Sequence, residues 1–398
     1  MDKKIWKYMM DNLFSDETKL FYDYIVPEKR GDFKNYLPSP EFIKKCIPSP
    51  TGWGTGMEDS VINGSVMLDS ALLAYEVTKE EAFLVKARDF FKGLKLCATI
   101  SESEGFLARS VSPFDGKSHY IDSSRDQYTH YVASAAKYYE SGKAKEDEIK
   151  AIKETLLSFA RRARANVTEE NKWNMLREDG GQGFVTALWN AAPHEMMRLP
   201  MIYLAAWKIS GDESFKEDYL KYRDFGMDES EKIVYRDNMR PFAIGQMQLS
   251  LRFCYDYDFD IAFRERCYRL MAQNADYGFN KALECAKENL TEENREIIHT
   301  KATAWNETPA WFNGYLSDYA YYVPMHFKSL FAAGLKGAWH IRDIGDAASI
   351  YMNLPGAEYK KELFDALSTA IGYVDTEKYT SDAVCYLLTP YYKLLLVK

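Results

Sequence analysis

The chain has 398 residues, a formal net charge of −8 and a hydrophobic share of 46%. This composition predicts a globular protein with a large core, and the acidic excess argues against a nucleic-acid partner, which needs a basic surface. No apolar run approaches the length of a membrane span, and the first residues lack the apolar core of a signal peptide. We therefore expect no membrane partner and a cytoplasmic or periplasmic location.

Apolar side chains recur at helical spacing along most of the chain. The pattern predicts helices near residues 58–78, 79–98, 124–141, 145–165, 194–210, 212–226, 243–256, 260–283, 315–336, 357–372 and 381–397. The segment 105–109 is the clearest strand signal, and its shortness indicates a connector. The six cysteines are scattered without a Cys-x-x-Cys pair, which predicts buried free thiols and no zinc site.

A short internal repeat joins the predicted helices into hairpins. Residues 75–83 match residues 207–215: an aromatic residue ends one helix, Thr or Ser breaks it, and acidic residues start the next. A weaker copy begins at Tyr139, so the elbows are 64 and 68 residues apart. Six such units would nearly fill the chain.

This count predicts an all-α fold, an (α/α)6 toroid in which six helical hairpins form a closed barrel. We expect a single domain over residues 1–398, with residues 1–50 as an N-terminal extension packed on the barrel. An open array of helical repeats is the alternative.

If alternate helices line the inside of the barrel, their N-terminal ends face one shared cavity. The first such end carries Trp53, Glu58 and Asp59, followed by Asn63-Gly64 one turn inside the helix. The two acids either favour the helix N-terminus or take part in catalysis. The Asn63-Gly64 pair suits a helix face that a ligand approaches closely.

The second end is the most informative stretch. Ser124-x-x-Gln127 has the form of a capping box, which places Asp126 in the first helical turn. The helix dipole and Arg125 would both lower the pKa of Asp126, which favours a base or nucleophile. A role as general acid would require burial or a second carboxylate nearby. A plain first-turn acid without a catalytic role is the alternative.

Arginine and histidine side chains complete the predicted lining. The guanidinium groups of Arg109 and Arg125 would bind the carboxylate of an acidic sugar in a bidentate manner, unless they form structural ion pairs. His194 follows Pro193 at a helix start and predicts a substrate hydrogen bond; because position 198 is Arg and not a second His, we expect no metal. The predicted substrate-binding residues are Trp53, Asn63, Arg109, Arg125, Gln127, Tyr128, His130, His194, Gln246, Trp305 and Trp311.

The block from Ser123 to His130, the helix start from Glu58 to Gly64, and the connector 106–109 resemble the six-hairpin glycosidase superfamily. The similarity covers roughly residues 50–250 and is greatest to unsaturated glucuronyl and rhamnogalacturonyl hydrolases and related exo-acting glucuronidases. It implies a pocket for the non-reducing end of a uronic-acid-containing glycan. It also implies Asp126 as general acid and base, assisted by Asp59 or Glu58. The later aromatic and arginine signature of the unsaturated-uronide enzymes is not evident near Trp305–Trp311, so the substrate is either an unsaturated uronide or a plain glucuronide or other glycoside.

The predicted function is thus a bacterial, exo-acting glycoside hydrolase of polysaccharide degradation, which acts on a uronic-acid-containing glycan by carboxylate general acid/base catalysis. Its partner is an oligosaccharide substrate, and two-carboxylate chemistry needs no cofactor. A polysaccharide lyase or a sugar epimerase on the same toroid is one alternative, and it would use His194, His130 or a tyrosine as base. A non-catalytic glycan-binding toroid is another, and the sequence leaves the oligomeric state open.

Overall fold

The structure is a computed structural model that describes residues 2–26, 31, 33–302, 304–307 and 337–398. Over these residues it is helical, with isolated bridges in place of strands. The α-helices are Lys3–Asn12 (α1), Pro40–Lys44 (α2), Ser60–Thr78 (α3), Glu81–Thr99 (α4), Arg125–Glu140 (α5), Glu146–Asn166 (α6), Arg198–Lys208 (α7), Phe215–Ser230 (α8), Pro241–Tyr257 (α9), Ile261–Asn289 (α10), Glu292–Ile298 (α11), Ala338–Met352 (α12), Lys361–Tyr373 (α13) and Leu388–Leu396 (α14). Short 3-10 helices lie at Phe33–Tyr36, Pro193–Glu195, Trp305–Glu307 and Asp382–Leu387.

Six of the described helices form a closed inner ring. Helix α3 packs against α5, α5 against α7 and α9, and α7 against α9. Helix α9 then packs against α12, α12 against α14, and α14 against α3. Because the last inner helix contacts the first, the ring closes, and the open array of repeats is excluded.

Six other helices form an outer layer. Helix α4 packs on α3, α6 on α5 and α7, α8 on α7, α10 on α9 and α12, and α13 on α12 and α14. Helix α1 completes the layer because Trp6 stacks on Phe90 of α4 and its indole N–H donates to the Tyr392 hydroxyl of α14, 2.8 Å away. The (α/α)6 toroid predicted from the sequence, and implied by the resemblance to six-hairpin glycosidases, is confirmed.

Burial differs between the two layers, as the toroid requires. The inner helix α3 has buried residues on every side, because it is enclosed by α4, α5 and α14. The outer helix α6 is amphipathic and buries one stripe that includes Ile152, Leu156 and Phe159. All six cysteines are buried and free, as predicted. In the described part of the chain, no helix combines the length and apolar character of a membrane span.

The hairpins are less regular than the repeat predicts. The inner helices begin at residues 60, 125, 198, 241, 338 and 388, so successive starts are 65, 73, 43, 97 and 50 residues apart. A uniform spacing near 65 is therefore wrong beyond the first two units. Helix α12 was not predicted, and the predicted helix 315–336 lies outside the described residues.

The N-terminal segment contacts both the outer layer and the end of the inner ring. Helix α1 belongs to the outer layer, and the following segment pairs with residues before the last inner helix, where Ile25 N–H donates to Thr380 O over 2.8 Å. Residues 2–26 thus pack on the barrel. The assignment of one domain with an extension over 1–50 stays a prediction.

Candidate active site

A cavity of about 340 Å³ lies where the N-terminal ends of the inner helices meet. Among the described residues its lining combines acids, arginines and aromatic rings from both halves of the chain. It consists of Asp23, Trp53, Glu58, Asp59, Ile62, Arg109, Ser124, Asp126, Phe184, Val185, Phe242, Gln246, Ala338, Trp339, Arg342, Ser381, Asp382 and Ala383. The three predicted catalytic acids, Glu58, Asp59 and Asp126, are therefore brought together.

Glu58 is a buried carboxyl that favours its protonated form. It lies just before α3, where the N–H of Gly54 donates to its Oε2 and Arg109 donates to its backbone carbonyl over 3.4 Å. Burial, and next the carboxylate of Asp59, raise the pKa of Glu58 to about 8. Glu58 can therefore donate a proton near neutral pH.

Asp126 is held in the opposite state. It lies in the first turn of α5 and forms an ion pair with Arg198 at the first position of α7. Desolvation in the cavity would raise the pKa of Asp126, but the guanidinium groups of Arg198 and then Arg125 outweigh it and lower that pKa to about 2. Asp126 is an anion throughout the physiological range, with a quarter of its side chain exposed to the cavity.

Asp59 contacts an amide and two guanidinium groups. Its Oδ1 accepts a hydrogen bond from the amide of Gln127 over 3.0 Å, and Arg109 and Arg342 lie at 4.0 and 3.8 Å from its two oxygens. The predicted capping box is half present. The Ser124 hydroxyl accepts from the N–H of Gln127 over 3.3 Å, but the Gln127 side chain turns to Asp59 instead of back to the helix start.

Two further acids of the cavity, Asp23 and Asp382, were not predicted. Asp23 accepts from the backbone N–H groups of Glu58 and Asp59, and burial, with the neighbouring Glu58 second, raises its pKa. Asp382 begins the 3-10 helix before α14, and burial raises its pKa to about 6 although Arg342 opposes the shift. The Ser381-Asp382 pair has the composition of a helix cap, which is a usable sequence signal, whereas the segment around Asp23 has none.

Arg342 and aromatic rings form the other walls of the cavity. The Arg342 guanidinium lies between the rings of Tyr386 and Trp339, at 4.2 and 5.0 Å from their centroids. On the facing wall, Trp53 and Phe184 pack edge to face with centroids 4.3 Å apart. The lining thus offers aromatic surfaces that suit a sugar ring.

Several predicted binding residues are placed elsewhere. Arg125 forms an ion pair with Glu195 and does not line the cavity. Of the two arginines predicted to bind an acidic sugar, Arg109 alone lines it. His194 also lies beside Glu195, 3.5 Å away, outside the lining. The Tyr128 hydroxyl donates to Gly105 O over 3.0 Å on the outer side of α5.

Other predicted residues support the site without lining it. Asn63 is buried, donates to Asp23 over 3.1 Å and accepts from Tyr386 over 3.1 Å. Gly64 does not face a ligand, because a side chain there would meet Leu94 of α4. Trp305 is buried against Phe42 and does not line this cavity. Trp311 lies outside the described residues.

A smaller cavity of about 50 Å³ continues deeper into the ring, and Phe242, Gln246 and Arg342 line both spaces. His130 lies in the smaller one, one turn below Asp126. Burial, with Arg342 next, lowers the pKa of His130 to about 3, so its ring is neutral.

Comparisons with known proteins give weak similarities only. No family model and no curated protein matches the chain. Among solved structures it is similar to a sugar epimerase from a ruminal bacterium, at 12% identity over 90% of this chain and 87% of that one, with a TM-score of 0.42. It is also similar to an inactive variant of the alpha-1,6-mannanase of Salegentibacter sp. HEL1_6 in complex with alpha-1,6-mannotetrose, at 10% identity over 100% of this chain and 98% of that one, with a TM-score of 0.48.

Proposed function

We propose that this chain is a glycoside hydrolase. The observation that carries the proposal is one cavity holding two carboxyl groups in opposite states, Glu58 protonated near neutral pH and Asp126 ionised. Environments that push two pKa values apart mark the acid and the anion of a two-carboxylate site. Glycoside hydrolysis needs this combination.

In the proposed reaction, Glu58 donates its proton to the glycosidic oxygen while the bond from that oxygen to the anomeric carbon breaks. The leaving sugar departs as an alcohol, and positive charge develops on the remaining ring. The carboxylates of Asp126 and Asp59 stabilise that charge. A water then adds its oxygen to the anomeric carbon, and its released proton returns to the carboxylate cluster.

The size and walls of the cavity support binding of a glycan end. A volume of about 340 Å³ is near the lower limit of small-molecule pockets, which run from about 300 to 1,000 Å³. Such a space suits the terminal part of a chain better than a long internal stretch. Trp53, Phe184 and Trp339 supply the aromatic surfaces that would contact the sugar. Because the small cavity suits the end of a chain, we include exo-action in the proposal.

The lining gives less support to the lyase and epimerase alternative. That chemistry would use His194, His130 or a tyrosine as base. His194 lies outside the cavity, His130 and Tyr386 lie at the smaller space below, and no tyrosine is among the described residues that line the larger cavity.

The lining also gives limited support to a uronic acid. Among the described residues five carboxyl groups face only two guanidinium groups, those of Arg109 and Arg342, and both already lie within about 4 Å of Asp59. A sugar carboxylate would compete with Asp59 for these cations. We therefore propose hydrolysis of a glycan, and the test below compares neutral with acidic sugars.

The test is a panel of neutral aryl glycosides, aryl glucuronides and unsaturated uronyl oligosaccharides. We expect wild type to hydrolyse at least one member, and Asp126→Asn to lose about 10²- to 10³-fold in kcat because it lacks the charge that stabilises the transition state. The control is Asp115→Asn, since the Asp115 carboxyl group accepts three hydrogen bonds in a turn outside the cavity. Hydrolysis of no member, full activity of Asp126→Asn, or new ultraviolet absorbance from an unsaturated product contradicts the proposal.

A further inference from the structure

We propose that Asp23 is a positioning residue, which holds the two acid-bearing segments 54–63 and 381–382 against each other at the cavity. The inference rests on the proposed function for its catalytic meaning. Its structural part stands on the contacts of Asp23 alone.

The carboxylate of Asp23 fixes the loop that carries Glu58 and Asp59. Its Oδ2 accepts from the N–H of Glu58 over 2.8 Å, and its Oδ1 accepts from the N–H of Asp59 over 3.2 Å. The same Oδ1 accepts from the Asn63 amide over 3.1 Å. Two of these donors are backbone N–H groups just before α3 and the third is a side-chain amide in its first turn, so one carboxyl group ties the loop to the helix start.

The backbone of Asp23 fixes the second segment. Its N–H donates to Gly56 O over 3.1 Å, and its carbonyl accepts from the N–H of Asp382 over 2.9 Å. Asp23 is thus bonded to the segments carrying Glu58, Asp59 and Asp382, which come from opposite ends of the sequence. A shift of Asp23 would displace these acids relative to one another.

In the part of the chain that the structure describes, the carboxyl group of Asp23 is buried without a positively charged partner, which is unusual for a purely structural contact. Asp23 is buried and lines the cavity, and among the described residues no ion pair includes it. A buried carboxyl without a cation is costly unless donors satisfy it, and these donors are all neutral N–H groups. The acidic groups facing it are Glu58 and Asp59 from the loop before α3 and Asp382 from the other segment.

The experiment compares Asp23→Asn and Asp23→Ala with Asp115→Asn. Asp115 is the matched control because it also accepts from two backbone N–H groups and one side chain, outside the cavity. On a substrate that wild type cleaves, we expect Asp23→Asn to lose about 10- to 100-fold in kcat through misplacement of the acids, with KM within about threefold. We expect Asp115→Asn to stay within about twofold of wild type on the same scale.

The pH profile separates positioning from general stability. Asp23 fixes the loop that buries Glu58, so removal of Asp23 changes the surroundings of Glu58 and moves the alkaline limb of the pH profile of kcat. The control variant leaves that limb in place. A loss of melting temperature in Asp23→Asn with unchanged kcat and an unchanged alkaline limb would overturn the proposal.

Hydrogen–deuterium exchange provides a readout that needs no substrate. We expect faster exchange in peptides covering residues 54–63 for Asp23→Ala, because two amides lose their acceptor, and no change there for Asp115→Asn. If wild type cleaves no glycan, the proposed function fails, and this measurement still decides the role of Asp23. Exchange equal to wild type in both Asp23 variants refutes it.

Discussion

Arg198 and Asp126 form an ion pair between the first turns of two neighbouring inner helices, α7 and α5. Arg198 is buried, while Asp126 keeps part of its side chain in the cavity. The pair therefore couples the packing of the ring to the charge of a site residue. Without Arg198, the desolvation that raises the pKa of Asp126 would be opposed mainly by Arg125, so that pKa would rise.

The first prediction concerns this ion pair. Arg198→Met removes the charge that lowers the pKa of Asp126, so the acid limb of kcat should move to higher pH. Arg198→Lys keeps a positive charge and should shift the limb less, although it lacks the fork geometry. The measurement is kcat from pH 4 to pH 9 for both variants, and equal shifts in the two would contradict it.

The second prediction concerns Glu58 as proton donor. Because a general acid acts only when protonated, wild-type activity should fall as the pH rises through about 8. Glu58→Gln should lower kcat by about 10²- to 10⁴-fold and abolish that alkaline limb. Aryl glycosides with acidic leaving groups should lose much less than alkyl glycosides, since their departure needs little protonation. An equal loss for both substrates would argue against this role.

The third prediction concerns stability and needs no substrate. The pKa of Glu58 is raised by folding, so its contribution to stability is present below the unfolded value near 4.5 and is lost as the pH rises through about 8. Urea unfolding at pH 6 and pH 9 should show a smaller loss for Glu58→Gln than for wild type. Identical losses would mean that Glu58 ionises freely in the folded protein.

The fourth prediction concerns the aromatic wall. Trp53→Ala should raise KM by about tenfold through lost stacking, with a smaller effect on kcat. Trp189 serves as control because it is half-buried, packs against Tyr222 and Phe225, and does not line the cavity. A similar KM increase in Trp189→Ala would point to a general loss of packing.

The fifth prediction uses two glycines with similar backbone angles. Gly105 and Gly142 have φ of +69° and +65°, but a Cβ at Gly105 would lie 2.2 Å from Ser158 O, whereas one at Gly142 meets no atom within 4 Å. Gly142→Ala should cost about 1 kcal/mol from the backbone conformation alone. Gly105→Ala should cost more than about 2 kcal/mol because the clash is with backbone. Urea unfolding of both variants gives their free energies of unfolding, which compare the cost of the backbone conformation with the cost of the clash.

The toroid could be predicted because its hairpins carry local signals, such as the elbows near Tyr75 and Trp207. Helix α12 was missed because its inward face is polar. Arg342 and Asp346 line the cavities and Asp343 pairs with Arg240, so the apolar period is weakened where the helix meets the site. The uneven hairpin lengths depend on connections that no local pattern specifies.

The site was predicted best where an acid stands beside a helix start. Asp126 could be predicted because the cap at Ser124 places it in the first helical turn. Helical spacing places His130 on the same face one turn deeper, while Tyr128 faces the opposite way. That spacing could have excluded Tyr128. Asp23 could not be found, because its role depends on contacts with residues 56–63 and with Asp382, which lies more than 350 positions later in the chain.

The closed ring also determines when the cavity comes into existence during synthesis. Its described lining runs from residue 23 to residue 383, and the Tyr386 ring that stacks on Arg342 lies just before the last inner helix. A nascent polypeptide that ends before residue 382 thus has neither Asp382 nor a complete pocket. Catalytic competence should therefore arise in one late step, and cleavage anywhere that frees α14 should extinguish it even if the other hairpins remain folded.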